Sequence, residues 1–72
     1  MTDNTYRIIE VVGSSTTGSD DAIANAVERA SKTLENLDWF EVIEVRGHIK
    51  DGSIEHYQAH IKVGFKLNGP AA

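Results

Sequence analysis

Trp39 is the only tryptophan of the chain. It opens the most strand-like stretch, Asp38-Trp39-Phe40-Glu41-Val42-Ile43-Glu44-Val45-Arg46-Gly47-His48-Ile49. A large flat side chain at the mouth of a strand either anchors a core or interface, or offers a stacking platform to a planar ligand. Three other groups of residues invite chemistry. His48, His56 and His60 suggest metal. On a strand, however, His56 and His60 stand about 13 Å apart and cannot chelate one ion together. Solvated or interface histidines are the simpler reading, unless a symmetry axis gathers copies of one histidine. Glu10, Glu41 and Glu44 suggest acid–base work, but strand alternation opposite a lysine explains Glu41 more simply. Gly13-Ser14-Ser15-Thr16-Thr17-Gly18 leads into a helix yet lacks the lysine of a phosphate loop. No serine, histidine and aspartate stand in the order of a nucleophile elbow.

The elements that must position these residues follow from periodicity. Tyr6 to Val12 is short and β-branched and predicts a strand. Residues 13–19 are Gly, Ser and Thr throughout and predict a loop, with Ser19 capping a helix and Asp20 and Asp21 in its first turn. The helix is expected from about Asp20 to Asn36, because Ile23, Ala26, Val27, Ala30, Leu34 and Leu37 form one apolar stripe. Trp39 to Lys50 and Ile54 to Leu67 are long strands joined by Asp51-Gly52, a strong hairpin turn. Residues 1–5 and 68–72 are expected to fray.

With Asp51-Gly52 as a two-residue turn, Phe40 faces Val63 and Val42 faces Ile61. Ala59, Phe65 and Leu67 share that side, which the helix is expected to cover. On the other face Trp39 opposes Gly64, Glu41 opposes Lys62, Ile43 opposes His60 and Val45 opposes Gln58. A bulge would exchange the faces. Opposite a glycine, the Trp39 ring is expected to have open space beside it. The hairpin, at about 40 Å, also outreaches a helix of about 25 Å. Ile43, Val45, Ile49 and Tyr57 on its distal part therefore call for cover from neighbouring subunits.

Composition bounds the function. Seventy-two residues make a single domain, and a core of that size rarely supplies more than about 3–5 kcal/mol. Cysteine is absent, so disulfides and thiolate metal sites are excluded and a reducing, cytoplasmic setting is expected. No apolar run of membrane-spanning length occurs, and the first residues lack the basic and apolar parts of a signal peptide. Self-association is the remaining staple. The net charge is −4, with seven basic and eleven acidic residues, which disfavours nucleic-acid binding. Arg46, Lys50, Lys62 and Lys66 concentrate in the C-terminal half, enough to hold one or two phosphates but not a duplex. Arg46 and Lys66 serve equally well as solvated charges or carboxylate partners.

The whole chain from about residue 5 to 67 resembles the dodecins, small flavin-binding proteins that assemble as hollow dodecamers. The likeness rests on Tyr6 to Ser15, Asp38 to Val42, Val45-Arg46-Gly47, Tyr57-Gln58 and Val63 to Leu67, in that order and spacing. It implies an α+β subunit, β-α-β-β, whose three-stranded antiparallel sheet wraps one helix, with the last strand between the first two. It implies cubic assembly and flavin pairs stacked between tryptophans of symmetry-related subunits. Trp39 is then the stacking residue, Gln58 a hydrogen-bonding partner of the flavin edge, and Arg46 a contact to flavin or a neighbour. Bacterial relatives favour flavin mononucleotide (FMN) and often carry coenzyme A. Lys66 departs from the arginine common there and loses its bidentate fork.

The function expected is storage, buffering and sequestration of FMN or riboflavin, without catalysis. Trp39 and Gln58 share a face, but about 20 Å of strand separates Gly64 from Gln58. The two are therefore expected to meet in a site from different chains. Two other readings stay open: a structural oligomer with Trp39 as an assembly contact, and a flavin-dependent enzyme.

Overall fold

The structure, a computed structural model, describes residues 4–67. Expectations for residues 1–3 and 68–72 lie outside them. The element order is β1 (Tyr6–Ser15), α1 (Ser19–Ser31), β2 (Leu37–Lys50) and β3 (Ser53–Lys66). The strands form one antiparallel sheet in the order β1-β3-β2, so the last strand is central, as expected.

The β1 strand runs through Gly13-Ser14-Ser15, where a loop was expected. The reason is packing. A β-carbon on Gly13 would overlap the Ala22 carbonyl and the Ala26 side chain, so the bare backbone lets the helix settle on the strand. Beyond it, Ser15 is buried and its hydroxyl organises the turn into α1. Oγ accepts from the Thr17 and Gly18 backbone N–H groups at 2.8 and 3.4 Å and donates to Asp21 Oδ2 at 2.7 Å. Ser19 is not the cap. Gly18 holds that position in extended conformation, with no side-chain cap.

The helix is also shorter than its apolar stripe. The Ser31 hydroxyl donates to the Glu28 carbonyl at 2.6 Å, an alternative to the helical ladder. Asn36 then turns the chain with φ 65°. The core is small: Ala22, Ala26, Ala59, Ile61 and Val63, flanked by Ile9, Val11, Ile23, Val27 and Leu37. Among the described residues, only Ile61 and Val63 are large and fully buried.

The helix rests on β1 and β3. It does not cover Phe40 and Val42, which were expected beneath it and are 51% and 39% exposed. Thirteen residues make a helix of about 20 Å, whereas the molecule is 56 Å long. Ile43, Val45 and Ile49 are exposed as expected, and Tyr57 is half-buried. Asp51 and Gly52, at φ 52° and 79°, form the hairpin turn as read.

Candidate functional site

The register of the hairpin decides which side chains meet. Near the turn, Ile49 opposes Ile54 and Lys50 opposes Ser53. Glu55 is then an extra residue on β3, and the pairing slips by one. Five pairs follow in the slipped register, from His48↔His56 to Glu44↔His60. Ile43 is an extra residue on β2 and restores the first register, so Val42↔Ile61, Glu41↔Lys62, Phe40↔Val63 and Trp39↔Gly64 stand as expected.

A third shift follows between Leu37 and Trp39; between the first two the faces of β2 are exchanged. Ile43 does not oppose His60, nor Val45 Gln58. Glu44 opposes His60, Val45 opposes Ala59, and Arg46 opposes Gln58. One mark of this was legible: the apolar doublet Val42-Ile43 interrupts the alternation of Glu41, Glu44 and Arg46 with apolar residues.

Two groups result on the sheet face opposite the helix. In the first, Arg46 Nε donates to Gln58 Oε1 at 3.3 Å, and Arg46 Nη1 lies 3.8 Å from Glu44 Oε2. The guanidinium orients the Gln58 amide with its NH2 free to donate. Next to them, His60 Nε2 lies 2.7 Å from Glu10 Oε1, tying β3 to β1.

The second group surrounds Trp39. A β-carbon on Gly64 would overlap the indole. The expected open space is therefore filled by the ring itself, which lies on the glycine backbone and stays 38% exposed. Tyr6 meets the indole edge-on, with centroids 6.3 Å apart and planes inclined by 63°. Its part was missed, although β1 beside β3 places Tyr6 opposite Lys66, one row along the same face from Gly64. The Lys66 backbone N–H donates to the Asn36 carbonyl at 3.1 Å.

Trp39 and Lys66 thus lie at one end of the face and Arg46 with Gln58 near its middle. Gly64 and Gln58 are six residues apart on β3, about 20 Å, longer than a fused three-ring system. The recess lined by Trp39, Phe40, Leu37, Asp38, Val27 and Val63 holds about 120 Å³, below the roughly 300–1,000 Å³ of ligand pockets. A larger groove of about 560 Å³ runs between α1 and β1 but contains none of the four residues. Its lining offers no stacking ring. Among the described residues, no group of three or more His, Cys, Asp or Glu side chains converges. No helix among them is long and apolar enough to cross a membrane.

The fold defines a class: a small β-α-β-β subunit with an open-faced antiparallel sheet. The family model for Dodecin matches residues 5–68. Over 62 residues the chain is 48% identical to the dodecin of Thermus thermophilus, covering 86% of this chain and 90% of that protein. The structure of dodecin from Streptomyces coelicolor superposes with a TM-score of 0.89 at 56% identity, covering 94% of this chain and 97% of that one. The calcium dodecin of Mycobacterium tuberculosis is 29% identical, covering 86% of this chain and 87% of that protein. The chain belongs to the dodecin family.

Proposed function

We propose that the protein binds flavin, as FMN or riboflavin, for storage and sequestration within a homo-oligomer, a dodecamer by family resemblance, in the cytoplasm. The observation that carries this is the indole laid on Gly64, half-exposed on an open sheet face. A glycine beneath the ring gives it a firm backing, so its outer face is presented flat. Gln58 supplies donors to the edge of the isoalloxazine, from another copy than the one supplying Trp39. Arg46 fixes that amide, and with Lys66 is available to phosphate on FMN or on coenzyme A, the further ligand that the resemblance implies. An electron-rich indole against a photoexcited isoalloxazine would quench it, which suits sequestration better than turnover.

Calcium fits less well. It takes about six to eight oxygen ligands, so a calcium site here would need carboxylates from several copies. An enzyme would need room for a substrate beside the flavin, and the recess at Trp39 offers little.

Titration of riboflavin and of FMN against the parent and Trp39→Ala, following flavin fluorescence, tests the reading. The parent is expected to quench both, and the variant to lose most of the effect. Equal quenching by the two would overturn it. The edge contact with Tyr6 favours a second reading, Trp39 as an assembly contact only. In that case Trp39→Ala changes the oligomer and the parent ignores flavin. Turnover of reduced nicotinamide with an acceptor would favour an enzyme.

A further inference from the structure

The hairpin end beyond α1 holds two histidines that flavin binding does not use. His48 and His56 are direct cross-strand partners. Their rings stack with centroids 4.5 Å apart and planes inclined by 28°. The last pair of β1 with β3 is Ser15↔Tyr57, so β1 does not flank them. A neutral imidazole offers one nitrogen lone pair, the commonest protein ligand for a metal, and here two such rings stand side by side.

Among the described residues, the two rings are not engaged elsewhere. Glu55 Oε1 lies 3.9 Å from His56 Nδ1, beyond hydrogen-bond reach. His60 is the contrast. Its Nε2 lies 2.7 Å from Glu10 and its Nδ1 3.9 Å from Glu44, so both nitrogens face carboxylates and the ring serves as a strand bridge.

We infer that His48 and His56 form a two-histidine clamp for a borderline divalent transition-metal ion, with Zn²⁺ as the natural probe. Zn–N bonds of about 2.0–2.1 Å in tetrahedral geometry bring the two nitrogens to about 3.3 Å, within reach of the stacked rings by side-chain rotation. Imidazole selects zinc, copper or nickel over magnesium and calcium, which prefer oxygen. Because no third ligating side chain converges among the described residues, water completes the shell. The slipped register creates the clamp, since the turn alone would set His56 opposite Gly47.

Calorimetric titration of the full, tag-free chain with ZnCl2 at about pH 7.5, above the ordinary histidine pKa, tests this. The parent and His60→Gln are expected to bind the ion at the same strength. His48→Gln and His56→Gln each weaken it about tenfold or more. No uptake by the parent, uptake indifferent to both clamp variants, or an equal loss in His60→Gln would overturn the inference. An independent readout needs no variant: Cu²⁺ added to the parent should show electron paramagnetic coupling to imidazole nitrogen. A spectrum without nitrogen coupling would count against the clamp. None of these measurements depends on flavin.

Discussion

Trp39 is held by its neighbours and not by a pocket. Gly64 lies under the ring and Tyr6 stands at its edge. A β-branched residue in place of Gly64 removes the seat without touching the indole. Gly64→Val is therefore expected to weaken flavin binding by roughly tenfold, since stacking on an aromatic ring contributes about 1–3 kcal/mol. Fluorescence titration measures it, and parent-like affinity would show that the seat is unimportant. Arg46 acts differently. Its contacts to Gln58 and Glu44 are solvent-exposed, so Arg46→Ala should leave stability within about 0.5 kcal/mol of the parent. Flavin affinity should still fall about fivefold, the effect of about 1 kcal/mol from a hydrogen-bonding amide left unoriented. Thermal unfolding and flavin titration on one sample separate the two effects. A loss of both together would make Arg46 a structural residue.

At the scale of elements, the helix–strand seam is built from small residues. Gly13 on β1 meets Ala22 and Ala26 on α1, with Ala59 buried on β3. Such a seam brings backbones close and tolerates no added volume. Gly13→Val should lower stability by about 2–3 kcal/mol through overpacking. Gly18→Ala is the matched control. Its added carbon meets nothing within 4 Å, and φ of 172° is ordinary extended backbone. Denaturant unfolding should show a large shift for the first and almost none for the second. Similar shifts would mean that the loop, and not the seam, limits stability. The slipped pairs of the hairpin are the other decision at this scale, since they set Arg46 against Gln58 and His48 against His56.

For the whole molecule, the apolar surface left open is too large for the core that exists. Phe40, Val42, Val45, Ile49 and Ile54 are exposed along the hairpin, and Ile8 and Val12 on β1. With only two large side chains fully buried among the described residues, the isolated chain lies near the lower limit of independent stability. Self-association would cover these faces and bring the two halves of the proposed flavin site together. Phe40→Glu, on the face away from Trp39, should reduce assembly and with it flavin quenching, although the indole is intact. Light scattering after size-exclusion chromatography, alongside the flavin titration, checks both. A monomeric variant that still quenches flavin like the parent would end the shared-site proposal.

Much of this was legible in the sequence. Helical and alternating periodicities are local properties, so the element order needed no tertiary knowledge. Asp51-Gly52 demanded a tight turn for the same reason, and it set Trp39 against Gly64 correctly. Element ends were less legible. Whether Gly13-Ser14-Ser15 is strand or loop depends on what α1 brings against it, and Ser15 competes with Ser19 for the turn only once the helix is in place. The single-residue slips at Glu55 and Ile43 depend on how a long twisted hairpin fits its neighbours, a balance summed over many contacts. The chain's own residue order determined a small open-faced β-α-β-β subunit with one indole at a strand mouth. Packing alone decided that the ring lies down on its glycine partner and that an arginine faces a glutamine, the latter because one extra residue in a strand turns the following side chains to the opposite side until a second restores the register.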